Sequence, residues 1–566
     1  MSELLKIVSS QYKHLPSRGS EYIDRRVITD GSILRNEPFS FQALYRGTKR
    51  AYEPVSIWLE TDLPAAAWRV DYVAVSHVPI SESFAEYESK EPGLFPDILT
   101  PRPVKADIIT AQNSRGVPIY FEKDVKATLN AVSDQFQSVW FTVNPDNISI
   151  PAGEYRLRVA MTSLLTNQVI AEESLSLCVI DQTLPRQNFY YTNWFHVDCL
   201  CDMFGVKPYS NAFYRIFDQY IRNMTRHCQN TLLLPAFTPA LDTVVGAERM
   251  NVQLVEIERT QDGWLFGFEK MRRFIRRARK NGIEFFEHAH IFSQWGARNA
   301  PNIYDRSGQR LFGCDTVAAG EEYIGFIRAY LKALLSFARE EGIEQKLLMH
   351  LSDEPQTTEI ENYRTVRAKI SDLLAHFPVC DAMFDCSFYE EGLVDQPILH
   401  IKSLSSSDVE KCPSAWLYYT GGEEGMTNRK IPNTAAATRM LGVLMYRYRA
   451  KGFLQWAYNF YYDRLSFGFA DPRVNPNAYK QFPGITSLCY PTYENGKVTV
   501  NPSLREKLMG EAMNDYRALR RLEEKIGREA TLALCEEKLG EIGVYTVPTG
   551  EDLRQLRERI NAAIAE

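Results

Sequence analysis

The sequence predicts an α/β chain: a (β/α)8 TIM barrel with an N-terminal antiparallel β-sandwich and a short helical C-terminal extension. Three observations predict it. Residues 1–183 read as short β-rich stretches separated by turn signals, with no strong helical period until their end. From about residue 188, apolar runs of five to eight residues alternate with longer stretches at helical spacing, the pattern of parallel strands and crossover helices. Those apolar runs number eight, as many as close a barrel.

The N-terminal reading rests on Pro54–Glu60, Trp68–Val75, Val139–Val143 and Tyr155–Met161, rich in β-branched and aromatic residues, with a turn at Pro151–Glu154. The eight barrel strands are assigned to Phe189–His196, Thr231–Phe237, Ile283–His290, Lys346–Ser352, Val379–Phe384, Ile398–Leu404, Ala415–Thr420 and Gly452–Phe460. Helices between or after them span Glu321–Glu341, Thr358–Ala375, Asn433–Tyr448 and Ser503–Ile526. The expected domains are therefore 1–183, 184–530 and 531–566, the last being the helical extension.

Composition narrows the function. The 566 residues are 45% hydrophobic and 24% charged, as in a globular protein of two or three domains. The net charge is -6, and no basic patch carries interleaved aromatics, which argues against nucleic acid as partner. The basic run Arg272 to Lys280 falls at helical spacing and reads as a solvated helix face. No apolar run reaches eighteen residues and no secretory signal opens the chain, so neither a membrane span nor export is expected. The expected location is the cytoplasm, with ten scattered cysteines as reduced thiols. The oligomeric state is not legible.

Active-site groups of such a barrel sit at the C-terminal ends of its strands. Here those ends carry Trp194, His196 and Asp198; His288, His290, Gln294 and Trp295; His350, Asp353 and Glu354; Tyr418 and Tyr419; and Trp456, Tyr458 and Asn459. Buried strands shun such residues unless they are paired, so their recurrence indicates a polar, aromatic-lined pocket. Asp353-Glu354-Pro355 is the sharpest feature. Apolar Leu347-Leu-Met feeds into two adjacent acids, and Pro355 ends the strand. Adjacent carboxylates repel, which favours a protonated acid that can serve a leaving group. The plain alternative is a helix N-terminus, where acids are favoured anyway.

His288 and His290, two apart on one strand, point to one face as metal ligands would. Asp198, His350 or His400 would complete such a centre; hydrogen-bonding histidines that hold sugar hydroxyls explain the pair as well. A metal-dependent hydrolase and a non-catalytic carbohydrate-binding protein therefore stay open beside the two-acid reading, for which no cofactor is expected.

The ordered pieces Asn193–Asp198, His290–Ala297, Leu311–Thr316, His350–Pro355, Trp416–Tyr419 and Gly452–Asn459 resemble the glycoside hydrolase-like domain of unknown function 4091, related to glycoside hydrolase family 123, the β-N-acetylgalactosaminidases. Gln455 stands where that resemblance would place His. It implies an oligosaccharide or glycoside substrate, no cofactor, and removal of a 2-acetamido sugar, β-N-acetylgalactosamine favoured. It further implies a retaining reaction in which the substrate's own acetamido group is the nucleophile. Glu354 would then be the acid and base, and Asp353 would orient the acetamido group. Trp194, Trp295 and Trp456 would stack on sugar, with Tyr419 on the acetamido oxygen. His196, Asp198, His288, His290, Gln294, Tyr458 and Asn459 complete the expected substrate-binding set.

Overall fold

The computed structural model describes residues 3–15, 23, 26–48, 53–63, 70–80, 92–101, 108–112, 118–122, 129–237, 242–244, 247–293, 295–404, 410–422, 425–479, 482–494 and 497–566. Gln294, Trp68 and Arg69 lie outside them. The chain forms two compact units: residues 1–187 with 425–443 and 501–566, and residues 188–424 with 444–500.

In the first unit, one five-stranded sheet runs Leu5–Ser9, Phe39–Tyr45, Gln137–Val143, Val70–Ile80, Gly93–Pro101, with every neighbour antiparallel. A second runs Asp30–Leu34, Gln168–Ile180, Gly153–Ser163, Glu53–Thr61, Leu129–Ala131. Only its first pair is parallel. The two-residue period of a strand sends Phe41 and Phe141 of the first sheet into the same core as Val55, Ile57, Leu157 and Val159 of the second. Phe41 stacks on Phe141 at 5.1 Å. Three helices, Leu504–Ile526, Arg528–Leu539 and Gly550–Ala565, belong to this unit. Ser503 starts the first by accepting the N–H of Glu506 at 2.9 Å. Two residues on, Arg505 is fully buried and ion-paired with Asp97 at 2.8 Å.

The second unit is a mixed α/β layer structure. Five parallel strands lie in the order Tyr190–Asn193, Gly452–Gln455, Trp416–Tyr418, Ile398–His400, Ala382–Met383. Three more, also parallel, lie in the order Thr231–Leu234, Phe285–His288, Leu347–Met349. All eight fall inside the predicted segments and are shorter. Their inward side chains, among them Trp194, Leu233, Leu348, Trp416, Tyr418 and Leu454, share one core. Helix Glu321–Glu340 begins with two acids and ends near Arg339, as the helix dipole favours, and buries Phe326, Tyr330 and Leu334. The basic helix Glu269–Lys280 buries Met271, Phe274, Ile275 and Ala278. Its other face pairs with acids: Arg276 meets Glu341 at 3.0 Å, and Arg277 meets Asp218.

The thiols depart from expectation at one place. Cys386 and Cys412 form a disulfide, with Cα atoms 6.5 Å apart, and the other eight cysteines stay outside it. Their separation of 26 residues carries no spacing signal; the fold brings together the segments that follow one strand and precede another. Among the described residues, no helix is long and apolar enough to cross a membrane.

Candidate active site

The strand Leu347–Met349 is buried on every residue, and its backbone then bends outward to present Asp353 and Glu354, both half-buried. The bend is laced to the loop after the neighbouring strand. Phe292 N donates to Leu351 O at 2.9 Å, Trp295 N to Asp353 O at 2.8 Å, and Ala297 N to Ser352 Oγ at 3.1 Å. Ser352 Oγ donates in turn to Ser293 O at 2.8 Å. Glu354, Trp295 and Ala297 all hold left-handed backbone, with φ of 45°, 55° and 55°. For residues other than glycine that conformation costs about 1–3 kcal/mol each, so the lacing over-determines a strained rim.

Gly296 lies in the same loop at φ 97°, and a Cβ there would sit 2.4 Å from the Glu359 carboxyl. Gly296→Ala should therefore lower stability by about 2 kcal/mol and cut kcat, checked by thermal unfolding alongside turnover. An unchanged melting temperature would show that this loop yields freely.

Above the acid pair opens a cavity of about 510 Å³, the size of a small-ligand site. Trp194, Trp295, Tyr418, Trp456, Tyr479 and Phe482 give it aromatic walls. The Tyr418 hydroxyl donates to Glu354 Oε1 at 2.7 Å. The lining also carries charge. Asp242 accepts from Tyr479 OH and Leu465 N, each at 3.0 Å, and burial raises its carboxyl above the usual range. Arg249 lines the cavity while bound to the buried Asp198 carboxylate at 2.6 Å, with its guanidinium over the Phe460 ring at 4.9 Å.

The Tyr418 bond is charge-assisted when Glu354 is ionised, and such bonds contribute about 1.5–3 kcal/mol. Tyr418→Phe should therefore lower kcat by about 10-fold or more while the fold survives. Steady-state kinetics checks this, and full activity would leave Tyr418 as wall only.

The predicted residues divide. Asp353, Glu354, Trp194, Trp295 and Trp456 come together on the cavity. Asp198 acts on it only through Arg249. Tyr419 does not reach it: it is fully buried with its ring 4.9 Å from Phe453, and Tyr418 occupies the inner face instead. The reason is parity. Trp416 must pack inward, stacked on Tyr190 at 4.5 Å, and residues two apart share a face. Tyr458 is likewise turned away, accepting from Asn223 Nδ2 at 2.7 Å. Asn459 is a backbone clamp, accepting from His196 N at 2.8 Å and donating to His196 O at 3.0 Å.

The histidines are interior groups. Nε2 of His196 lies 2.9 Å from Trp456 O, and burial together with nearby Arg249 lowers its pKa to about 4. His288 faces away from the cavity, with Nε2 2.6 Å from Tyr330 OH, and burial lowers it to about 4. His290 sits edge-on to Trp194 at 5.5 Å and beside His350 at 4.8 Å. Burial and the charge of His350 push it well below the usual range. Gln294 is not among the described residues. Sequence reasoning missed Asp242, Arg249, Tyr479 and Phe482, which lie on loops without periodicity.

Among the described residues, two groups bring three ligand-type atoms within 4.8 Å: His196, Asp198 and Cys199, and His290, His350 and Asp381. Both have other partners. Asp198 holds Arg249, and the two ring nitrogens of His350 face Glu287 at 3.0 Å and Asp381 at 3.4 Å.

Known proteins were compared with this chain. The catalytic domain of glycoside hydrolase 123 matches residues 194–522. No curated protein matches the sequence. A family 123 glycoside hydrolase from Clostridium perfringens, described in connection with glycolipid glycan hydrolysis, superposes with a TM-score of 0.73 at 12% identity, over 99% of this chain and 97% of its own. A β-glucuronidase from Bacteroides uniformis reaches 0.28 at 8% identity, over 87% and 51%. The GH53 catalytic domain from Ignisphaera aggregans reaches 0.33 at 11% identity, over 59% and 99%. The Clostridium structure shares the fold, and the domain match spans more than half of the residues. This chain therefore belongs to glycoside hydrolase family 123.

Proposed function

We propose that the chain removes a terminal 2-acetamido sugar, β-N-acetylgalactosamine favoured, by a retaining reaction assisted by the substrate's own acetamido group. The observation that carries this reading is the adjacent pair Asp353 and Glu354 at the wall of an aromatic-lined cavity, with Tyr418 donating to Glu354. In this reading the eight parallel strands form one (β/α)8 barrel. Its support is the two parallel sheets, a parallel bridge between Met349 and Val379, and a bond from Asn230 N to Tyr191 O at 3.2 Å.

Glu354 gives its proton to the glycosidic oxygen as the bond to C1 breaks. The acetamido carbonyl oxygen attacks C1 and forms an oxazolinium ion, while Asp353 accepts the acetamido N–H and balances the charge. Water then attacks C1, Glu354 takes its proton, and the ring opens to the free sugar. No second enzymic carboxylate has to bond to C1. Trp194, Trp295 and Trp456 supply flat apolar faces for the sugar.

The test is release of p-nitrophenol from β-GalNAc, β-GlcNAc, β-galactose and β-glucose aryl glycosides, with and without chelator. Cleavage confined to the two acetamido sugars and indifferent to chelator supports the reading. Cleavage of the 2-hydroxy sugars at equal rates removes substrate assistance, and loss of activity in chelator that zinc or manganese restores replaces it with a metal-dependent reaction.

A further inference from the structure

The backbone that carries the acid pair is gripped from below by a single carboxylate. Asp381 stands just before the strand Ala382–Met383 and is fully buried. Its Oδ1 accepts the N–H of Leu351 at 2.9 Å, and its Oδ2 accepts the N–H of Ser352 at 3.2 Å and the Tyr363 hydroxyl at 2.7 Å. His350 Nδ1 lies 3.4 Å from Oδ1. Across the ring, His350 Nε2 is 3.0 Å from Glu287 Oε1, which also accepts the Trp194 indole N–H at 3.1 Å. The gripped residues, 350 to 352, are the three that precede Asp353.

In a regular ladder those N–H groups would bind carbonyls of the next strand. A bidentate side chain in their place lets the chain leave the sheet with its donors satisfied. We propose that Asp381 is a positioning residue that sets Asp353 and Glu354 at the cavity, with His350, held between Asp381 and Glu287, supplying the balancing positive charge. This rests on the reading of Asp353 and Glu354 as the reacting acids.

The electrostatics agree with the geometry. Burial pushes the Asp381 carboxyl up, and His350, Tyr363 and the Ser352 N–H work against that push. Burial likewise opposes a charge on His350, but Cys380, Asp381 and Glu287 outweigh it and hold the imidazolium well above the usual range. The groups facing His350 are Glu287, Asp381, Cys380 Sγ at 3.8 Å, and the rings of His290 and Trp194 at 4.8 and 5.5 Å; His288, whose pKa is also low, lies close enough to interact. A raised folded-state value means the imidazolium's contribution is present at low pH and is lost as pH rises through that value.

Asp381→Asn keeps the volume and one acceptor but turns an amide NH2 toward a backbone N–H. The expected result is a kcat lower by on the order of 100-fold with KM changed by less than about 3-fold, as for a displaced catalytic group. The alkaline limb of kcat and the imidazolium 15N signature of His350 should both move to lower pH, since one of its two carboxylate partners is gone. A merely structural Asp381 would lower the melting temperature and leave kcat per folded molecule and the pH profile unmoved, which overturns the proposal. Should that variant not fold, Tyr363→Phe decides: it removes one donor to Asp381, a several-fold loss of kcat at constant KM supports the grip, and an unchanged kcat overturns it. Glu354→Gln measured in parallel separates the two claims. A dead Glu354→Gln beside a fully active Asp381→Asn removes the positioning role alone, and an active Glu354→Gln removes the reading beneath it.

Discussion

Glu354→Gln is expected to lower kcat by on the order of 1000-fold, the scale of a lost general acid and base, while substrate still binds. The amide matches the carboxylate in size and still accepts from the Tyr418 hydroxyl, now 2.7 Å from Glu354 Oε1, so the wall of the cavity is preserved. What it lacks is a proton to give to the glycosidic oxygen and a base to take one from water. Turnover of a p-nitrophenyl 2-acetamido glycoside, with direct titration of the sugar by calorimetry, checks both halves. Aryl leaving groups need little protonation, so the loss should be larger on a natural disaccharide than on the aryl substrate. Near wild-type rates on both would remove Glu354 from the chemistry.

Asp353→Asn should act selectively. In the proposed assisted reaction Asp353 would accept the acetamido N–H and face the developing oxazolinium charge. The variant is expected to lose on the order of 100-fold in kcat on 2-acetamido sugars and little on whatever 2-hydroxy glycosides the enzyme hydrolyses. The comparison within one variant cancels any general damage to the rim, where Asp353 O also holds Trp295 N at 2.8 Å. Equal losses on both sugar types would mean that Asp353 supports the loop rather than the acetamido group.

Both variants alter residues read from the sequence, which also placed the eight parallel strands. Apolar runs such as Leu347-Leu-Met are buried on both faces of a parallel sheet, and a short run of that kind has few other places to go. The acids were legible because two adjacent carboxylates after such a run contradict burial and demand a reason. Tyr418 was half legible: neighbouring residues of a strand point to opposite faces, so only one of the two tyrosines can face inward, and the choice between them depends on which face Trp416 takes. Asp242, Arg249 and Tyr479 had no such handle. They come from segments whose backbone has no period, and only the cavity assembles them.

Unit membership shows the same divide. Residues 425–443 and 501–530 read as part of the strand and helix alternation and 531–566 as a separate helical extension, yet all of them group with residues 1–187. The helix Leu504–Ile526 was found from its own spacing, but its destination depends on Arg505 finding Asp97, 408 residues earlier.

By itself, then, the sequence determined where the eight parallel strands and the two longest helices lie, which acids follow a strand, and the family to which the motifs point. Those are properties of local period and adjacency, which side-chain burial imposes along the chain. Tertiary structure alone decided which face each strand end turns to the cavity, which loops complete its walls, and that Asp381 grips the backbone beneath Asp353. Such choices are set by packing between residues far apart in sequence, where one buried tryptophan or one paired carboxylate selects among arrangements that the local pattern leaves equal.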